Sequence, residues 1–95
     1  MISITSKNID LSEDTKGYIT DKLSELDKYL DKIQFIDVIA DKDKFRSQLN
    51  VKIGLEKMGT VTLKETSDGL KKAADAIRER AKKKLRRMKE KSYAK

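Results

Sequence analysis

The sequence predicts an α+β fold, a β-α-β-β-β-α two-layer sandwich in which two helices pack on one face of a four-stranded sheet. Two stretches with apolar residues at every third or fourth position predict the helices. Four segments that alternate apolar and polar residues predict the strands. Because 95 residues with a hydrophobic fraction of 37% suffice for one core, we expect a single domain over residues 1–95.

The N-terminal part of the chain predicts a strand followed by a helix. Residues 2–5 alternate as a half-buried strand does. Ser12 is a suitable N-cap and stands before two acids, which favour the positive end of a helix dipole, so we expect a helix over residues 13–31. Its apolar stripe consists of Ile19, Leu23, Leu26, Leu30 and Ile33.

The middle of the chain predicts the other three strands. Residues 36–40 have strand character, and the charged residues 41–44 after them predict a turn. Residues 45–55 alternate most clearly, with Phe45 as the first inward side chain. A hairpin connection then leads into a fourth strand over residues 60–64.

The last part of the chain predicts a long amphipathic helix. Ser67 and Asp68 are candidate N-caps, and no proline interrupts the pattern that follows. The helix should pack on the sheet through one narrow stripe. This stripe consists of Leu70, Ala73, Ala74, Ile77, Ala81, Leu85 and Met88.

Positive charge is concentrated in this last helix. Residues 68–95 contain twelve Lys or Arg against four acids, whereas residues 1–67 contain eleven bases and twelve acids. A solvated helix normally balances its bases with acids one turn away, but the bases of residues 82–87 repel one another without an intervening acid. A solvated surface is the plain structural alternative. We favour a polyanionic partner, with nucleic acid as the first candidate.

The composition excludes several kinds of chemistry. The sequence has neither cysteine nor histidine, which excludes disulfides, Cys/His zinc sites and histidine acid–base catalysis. Asp41 and Asp43, with Asp37, could offer carboxylates to a hard cation, but their spacing lacks the glycine and the glutamate of a calcium loop. We therefore expect no enzymatic activity, no cofactor and no metal. With no long apolar segment, we expect a cytosolic protein without membrane contact.

The few aromatic residues favour phosphate recognition over base stacking. Tyr18 and Tyr29 flank the stripe of the first helix, where packing at the edge of the core is the simpler role. The predicted open face of the sheet lacks an aromatic platform for stacked bases. Its side chains are Arg46, Gln48, Asn50, Lys52, Thr60, Thr62 and Lys64.

Three stretches carry a resemblance to a known family: residues 2–9 (ISITSKNI), residues 22–33 (KLSELDKYLDKI) and the basic helix over residues 74–91. The chain resembles the bacterial ribosome hibernation-promoting factors, also called ribosome-associated inhibitor A or protein Y, over nearly all of its length. The resemblance implies binding to the small ribosomal subunit and its RNA near the decoding centre. Messenger and transfer RNA would be occluded there, and idle ribosomes preserved. It also implies no small-molecule substrate, and we expect a monomer off the ribosome.

In that family the basic faces of both helices contact ribosomal RNA. Two departures concern this surface: Glu25 stands where a base often occurs, and the last helix lacks the aromatic residue that often follows its first acid. The chain stops after the basic helix, as in the short form of the family, although a truncated long form would look the same. The expected RNA-binding residues are Lys22, Lys28, Lys32, Lys71, Arg78, Lys82, Lys83, Arg86, Arg87, Lys89 and Lys91.

Two alternatives remain open at this point. One is a general double-stranded-RNA-binding domain, since an α-β-β-β-α core with Lys71 and Lys72 at the start of the final helix is similar to that module. The other is a regulatory protein-interaction module whose basic helix docks an acidic partner. Membrane or calmodulin-like binding is disfavoured because the helix stripe contains neither Trp nor Phe and is needed by the sheet.

Overall fold

The computed structural model describes residues 2–28 and 32–93, with side chains left out at positions 43 and 91–93. It confirms the predicted α+β fold: four strands form one mixed sheet in the order β1-β2-β3-β4, and two helices pack on one face of that sheet. A 3-10 turn, Glu25–Lys28, follows α1. The elements are β1 (Ile2–Ser6), α1 (Glu13–Ser24), β2 (Ile33–Asp43), β3 (Arg46–Leu55), β4 (Gly59–Ser67) and α2 (Leu70–Tyr93).

The sheet buries the face that the alternation predicts. β1 runs parallel to β2, and the other two pairs are antiparallel. The register aligns Ile4, Val38, Val51 and Leu63 in one row across all four strands. These side chains point to one face because residues two apart in a strand share a side, and the last three are buried. The row is the floor on which the helices pack.

Both helices cover this floor with their apolar stripes. Ile19, Leu23 and Leu26 are fully buried on the first helix and its 3-10 extension. The long helix buries small residues beside large ones, which lets its backbone approach the sheet closely. Its buried residues are Leu70, Ala73, Ala74, Ile77, Ala81 and Leu85, with Met88 half-buried behind them.

The first helix is shorter than predicted. Ser12 caps it as expected, because its side-chain oxygen accepts a hydrogen bond from the Thr15 backbone N–H at 3.1 Å. The α-helix ends at Ser24 and tightens into the 3-10 turn. Three residues per 3-10 turn keep Leu26 on the same side as Leu23, so both stay buried although the helix type changes, whereas Ile33, predicted for the same stripe, belongs to β2. The predicted extension over residues 29–31, with Tyr29 and Leu30, lies outside the described residues.

The hairpin between β2 and β3 corrects two predictions. Residues 41–43 belong to β2 instead of a turn, because Asp41 pairs with Gln48 and Asp43 pairs with Arg46. Only Lys44 and Phe45 remain to form the turn, and Lys44 adopts a left-handed φ of 58°. The turn removes Phe45 from the strand alternation. This side chain is therefore 95% exposed instead of inward.

The long helix runs back along β4 from the end where that strand finishes. It begins at Leu70, and the Gly69 carbonyl accepts from the Ala73 N–H at 3.1 Å, so Gly69 takes the cap position predicted for Ser67 or Asp68. Twenty-four residues give this helix a length of about 36 Å. It spans most of the molecule, whose longest dimension is 46 Å.

Candidate nucleic-acid interface

The first two cations of α2 are held by acids. The Lys71 ammonium lies 2.6 Å from Asp14 Oδ2 of α1. Lys72 forms an i,i+4 ion pair with Asp68, at 3.3 Å. The hydrogen bond and positive charge of Lys72 hold the pKa of the Asp68 carboxyl below its usual value. Each of these two lysines therefore already has an anionic partner.

Tyr18 of α1 joins the two helices one turn further along. Its hydroxyl lies 2.8 and 3.0 Å from the two carboxylate oxygens of Asp75 and donates its proton to that carboxylate. This hydrogen bond, with smaller effects of burial and of the Asp75 charge, raises the pKa of Tyr18. Lys22 lies 3.8 Å from Asp75, and the ammonium groups of Lys22 and Lys71 both lie 5.4 Å from the centre of the tyrosine ring. Tyr18 thus packs between the helices and orders two cations around it.

Arg78 is engaged between the helices as well. Its side chain is 22% exposed, and Nη2 donates to Glu25 Oε1 at 3.3 Å. Nε lies 3.0 Å from Glu25 Oε2. This contact is an ion pair but not a hydrogen bond, because the N–H does not point at the oxygen. Nη1 donates to Glu79 at 2.6 Å. Two carboxylates therefore neutralise this guanidinium before any ligand arrives.

Arg80, on the opposite side of α2, points to the edge of the sheet. Its Nη1 donates to the Lys64 carbonyl at 2.7 Å and to Glu65 at 2.9 Å. The contact satisfies a carbonyl of the edge strand β4 and neutralises the arginine. In the first half of α2, cations thus hold the helix against α1 on one side and β4 on the other.

The second half of α2 is different. The cations at positions 83, 84, 86, 87 and 89 are exposed, and they form no ion pair with any described side chain. Leu85, which is fully buried, and half-buried Met88 fix this part of the helix to the core. The charges are therefore held on a rigid support instead of a free tail. We call this group the open cation cluster: Lys83, Lys84, Arg86, Arg87 and Lys89.

Two shallow grooves adjoin the open cation cluster. One of about 400 Å³ lies between α2 and β4 and is lined by Thr62, Leu63, Arg80, Lys83, Lys84 and Arg87. The other, of about 220 Å³, lies on the helix and is lined by Lys83, Arg86, Arg87 and Glu90. Open grooves with cationic walls suit the phosphates of a nucleic-acid backbone, which need charge and hydrogen-bond donors but no enclosed pocket.

Comparison with known proteins connects this arrangement to a family. The profile of the family described as "Sigma 54 modulation protein / S30EA ribosomal protein" matches residues 2–93. The chain belongs to this family. Membership indicates a ribosome-associated protein from a family of binding factors instead of enzymes. A comparison with curated protein sequences found no match.

Two solved structures share the fold of this S30EA family chain. A ribosomal subunit interface protein from Coxiella burnetii superposes with a TM-score of 0.84 at 22% identity, covering 93% of this chain and 96% of that one. The N-terminal domain of protein Y from Thermus thermophilus superposes with a TM-score of 0.81 at 21% identity, covering 90% and 94%. At these identities the two structures show a common fold.

The structure separates the predicted RNA-binding residues of this S30EA family protein into groups, and RNA contact by each of them stays a prediction. Lys32 and Lys82 are half-buried and make contacts of their own, whereas Lys28 is exposed at the end of the 3-10 turn. The side chain of Lys91 lies outside the described part of the chain. Those brought together without ion pairs are Lys83, Arg86, Arg87 and Lys89, and those paired with acids are Lys22, Lys71 and Arg78.

Two cationic residues of the grooves are missing from the predicted set. Lys84 belongs to the open cation cluster, and Arg80 lines the groove beside β4. Both lie on the flank of α2 that faces away from α1. The helical phase of 100° per residue already placed them there, but the predicted set was drawn mainly from the other flank. The sequence pattern does not show which acids neutralise the bases on the flank of α2 that faces α1.

Asp41, one of the carboxylates that could face a hard cation, is engaged in local hydrogen bonds. Asp41 Oδ1 accepts hydrogen bonds from Asn8 Nδ2 at 3.3 Å and from the Lys42 backbone N–H at 2.7 Å. Among the side chains that the structure describes, which do not include that of Asp43, no three acidic groups lie close enough together to hold a metal ion. Neither described helix combines the length and apolar character that crossing a membrane requires.

Proposed function

We propose that this protein is a non-enzymatic, ribosome-associated translation inhibitor that binds RNA of the small subunit near the decoding centre and occludes the sites of messenger and transfer RNA. The observation that carries the proposal is the open cation cluster, which has no acidic partner among the described side chains and lies on a helix that is packed to the sheet. Family membership supports the ribosome as partner, and one structural neighbour is a ribosomal subunit interface protein. The cytoplasm is the corresponding location.

The mechanism is electrostatic docking followed by occlusion. Each phosphate that approaches Lys83, Arg86 or Arg87 replaces mobile counterions and relieves the repulsion among these bases. Since buried Leu85 already fixes the helix, docking requires little ordering of the protein. The sheet and both helices share one core and act as a single ribosome-binding domain, whose body fills the space that the RNA ligands need.

The ion pairs between the helices disfavour the double-stranded-RNA alternative. That reading depends on Lys71 and Lys72 at the start of the last helix. Both are paired with acids, so releasing them for phosphate would cost the contacts to Asp14 and Asp68. The open cation cluster lies instead in the second half of α2.

Cosedimentation with small ribosomal subunits, combined with an in vitro translation assay, tests the proposal. The triple variant Lys83→Gln/Arg86→Gln/Arg87→Gln should lose cosedimentation and inhibition while its circular dichroism and melting temperature stay unchanged, because all three side chains are exposed. A matched control removes three charges from exposed positions of the strands and the β3–β4 turn: Lys52→Gln/Lys57→Gln/Lys64→Gln. The control should bind and inhibit as the wild type does.

Two further arms separate the alternatives. A naked RNA duplex of about 16 base pairs should compete poorly with small subunits, and tight duplex binding would support the double-stranded-RNA reading instead. Binding that survives nuclease digestion of the ribosome would support a protein partner. Equal cosedimentation of the wild type and the cluster variant would refute the proposal.

A further inference from the structure

A second feature of the surface lies outside the proposed site: the tip of the β2–β3 hairpin, residues 42–46. Phe45 at this tip is 95% exposed, the one large hydrophobic side chain among the described residues that is exposed to solvent in this way. Its ring has no neighbour in the core. A single exposed apolar side chain is ordinary on a protein surface, but a fully exposed aromatic ring offers a partner a large, flat apolar face.

The hairpin presents this ring on a projecting support. β1 pairs with β2 only as far as Ala40, and β4 pairs with β3 only as far as Ser47. Beyond these residues the two strands continue alone, closed by the pair of Asp43 with Arg46. A two-residue turn with a non-glycine residue at positive φ, Lys44 at 58°, restricts the directions that Phe45 can take. The tip therefore projects beyond the ends of β1 and β4, while the backbones of β2 and β3 stay hydrogen-bonded to each other.

The charges around the ring limit what it can bind. Lys42, Lys44 and Arg46 are exposed and form no ion pair with any described side chain. The neighbouring acids Asp41 and Asp43 reduce the net charge of residues 41–46 to +1. Such a segment is too weakly charged to hold a polyanion by itself. The flat ring of Phe45 provides an aromatic stacking surface, which the open cation cluster lacks.

We infer that Phe45 stacks on an unpaired base of the RNA partner, with Lys44 and Arg46 beside the adjoining phosphates. One ring face suffices for a stacked base, whichever base it is, because every base has a π-face. The flanking cations favour RNA over an apolar pocket of a protein, because Lys44 and Arg46 can reach phosphates on either side of a stacked base. The inference rests on the proposed function in that it takes the RNA of the small subunit as the partner.

The stacking site is separate from the open cation cluster. Ser47 of β3 lies opposite Ser67 of β4, so the hairpin tip projects from the end of the sheet where α2 begins. The cluster lies in the second half of α2, toward the start of β4, as the groove with Thr62 shows. Two contacts at opposite ends of a molecule 46 Å long would fix its orientation on the RNA, which charge alone does not.

The test compares variants that separate ring shape from apolar area. Phe45→Leu keeps an apolar side chain but removes the flat ring, and it should lower affinity for small subunits about tenfold. Phe45→Trp should bind within about twofold of the wild type, and its fluorescence should be quenched in the complex. Because stacking is uncharged, Phe45→Leu should leave the salt dependence of binding unchanged, unlike Lys83→Gln/Arg86→Gln/Arg87→Gln. Equal melting temperatures of the variants serve as the folding control.

The outcomes distinguish this inference from the proposed function. A wild type that does not cosediment with small subunits overturns both. A wild type that cosediments while Phe45→Leu binds equally well overturns the stacking site alone. A photo-crosslinking residue at position 45 should attach to RNA, and attachment to a ribosomal protein would overturn base stacking in favour of a protein contact.

Discussion

Arg78 of α2 and Glu25 after α1 face each other across the two helices, with Nε 3.0 Å from Oε2 and Nη2 donating to Oε1. Glu25 is one of the two departures from the family resemblance that the sequence shows. In this chain the acid neutralises a neighbouring arginine instead of offering a charge to RNA. The open cation cluster therefore lies only on the later turns of α2.

Removing Arg78 should affect stability more than RNA binding. Arg78→Ala leaves Glu25 and Glu79 without their shared cation in a half-buried setting, so we expect a loss of about 1 kcal/mol after allowing for solvent screening. In a domain of this size that corresponds to a fall in melting temperature of about 4–8 °C. Thermal denaturation and cosedimentation check the prediction. Arg86→Ala at an exposed position serves as the control. It should keep the melting temperature of the wild type and weaken cosedimentation.

A double-mutant cycle tests whether the partner is Glu25. In the Glu25→Ala background, Arg78→Ala should cost less than it does alone, with a coupling energy of about 0.5–1 kcal/mol. Additive losses would show that the pair contributes nothing. A variant Arg78→Ala that keeps its melting temperature but no longer binds ribosomes would assign Arg78 to the RNA interface.

Local patterns predicted the fold but not the surface. The alternation of residues 47–55 and the helical spacing from Leu70 to Leu85 depend on neighbours in sequence, and both give the observed buried faces. The Tyr18–Asp75 and Lys71–Asp14 contacts join residues 57 positions apart, so no local pattern contains them. The predicted inward position of Phe45 was wrong for a related reason. The pairing of β2 with β3 decides where the turn lies, whereas alternation alone extends the strand one residue too far.

Salt dependence should report the number of phosphates contacted. If about six phosphates are neutralised, the slope of log affinity against log salt is on the order of −4 to −5. Lys83→Gln/Arg86→Gln/Arg87→Gln should make this slope shallower by about 2, because each lost contact removes about 0.7 to 0.9. Binding titrations at several salt concentrations measure the slope. A weaker variant with an unchanged slope would mean that these three residues do not contact phosphate.

Position 54 should require a glycine, because the Phe35 ring lies against it on the open face of the sheet. Gly54 pairs with Phe35 across β2 and β3, and a Cβ added at this glycine would overlap the Phe35 ring. Gly54→Ala should therefore destabilise the protein by about 1–3 kcal/mol, because the ring must leave its place. The double variant Phe35→Leu/Gly54→Ala should lose less than the sum of the two single changes. Urea denaturation checks both, and Gly17→Ala, where an added Cβ meets nothing, is the control.

Tyr18 should make stability sensitive to alkaline pH. Its hydrogen bond to Asp75 raises its pKa above the ordinary value of 10.0. A tyrosine that is harder to ionise in the folded state contributes stability that is complete below pH 10 and is lost as the pH rises through the folded-state pKa.

Tyr18→Phe keeps the ring between Lys22 and Lys71 but removes the hydroxyl. The stability difference between wild type and variant should thus be present at pH 8 and shrink above pH 10. Urea denaturation at pH 8, 9, 10 and 11 measures it, and because the other titrating groups are common to both proteins, they cancel in the difference. A difference that stays constant over this range would show that the Tyr18–Asp75 hydrogen bond does not couple to ionisation.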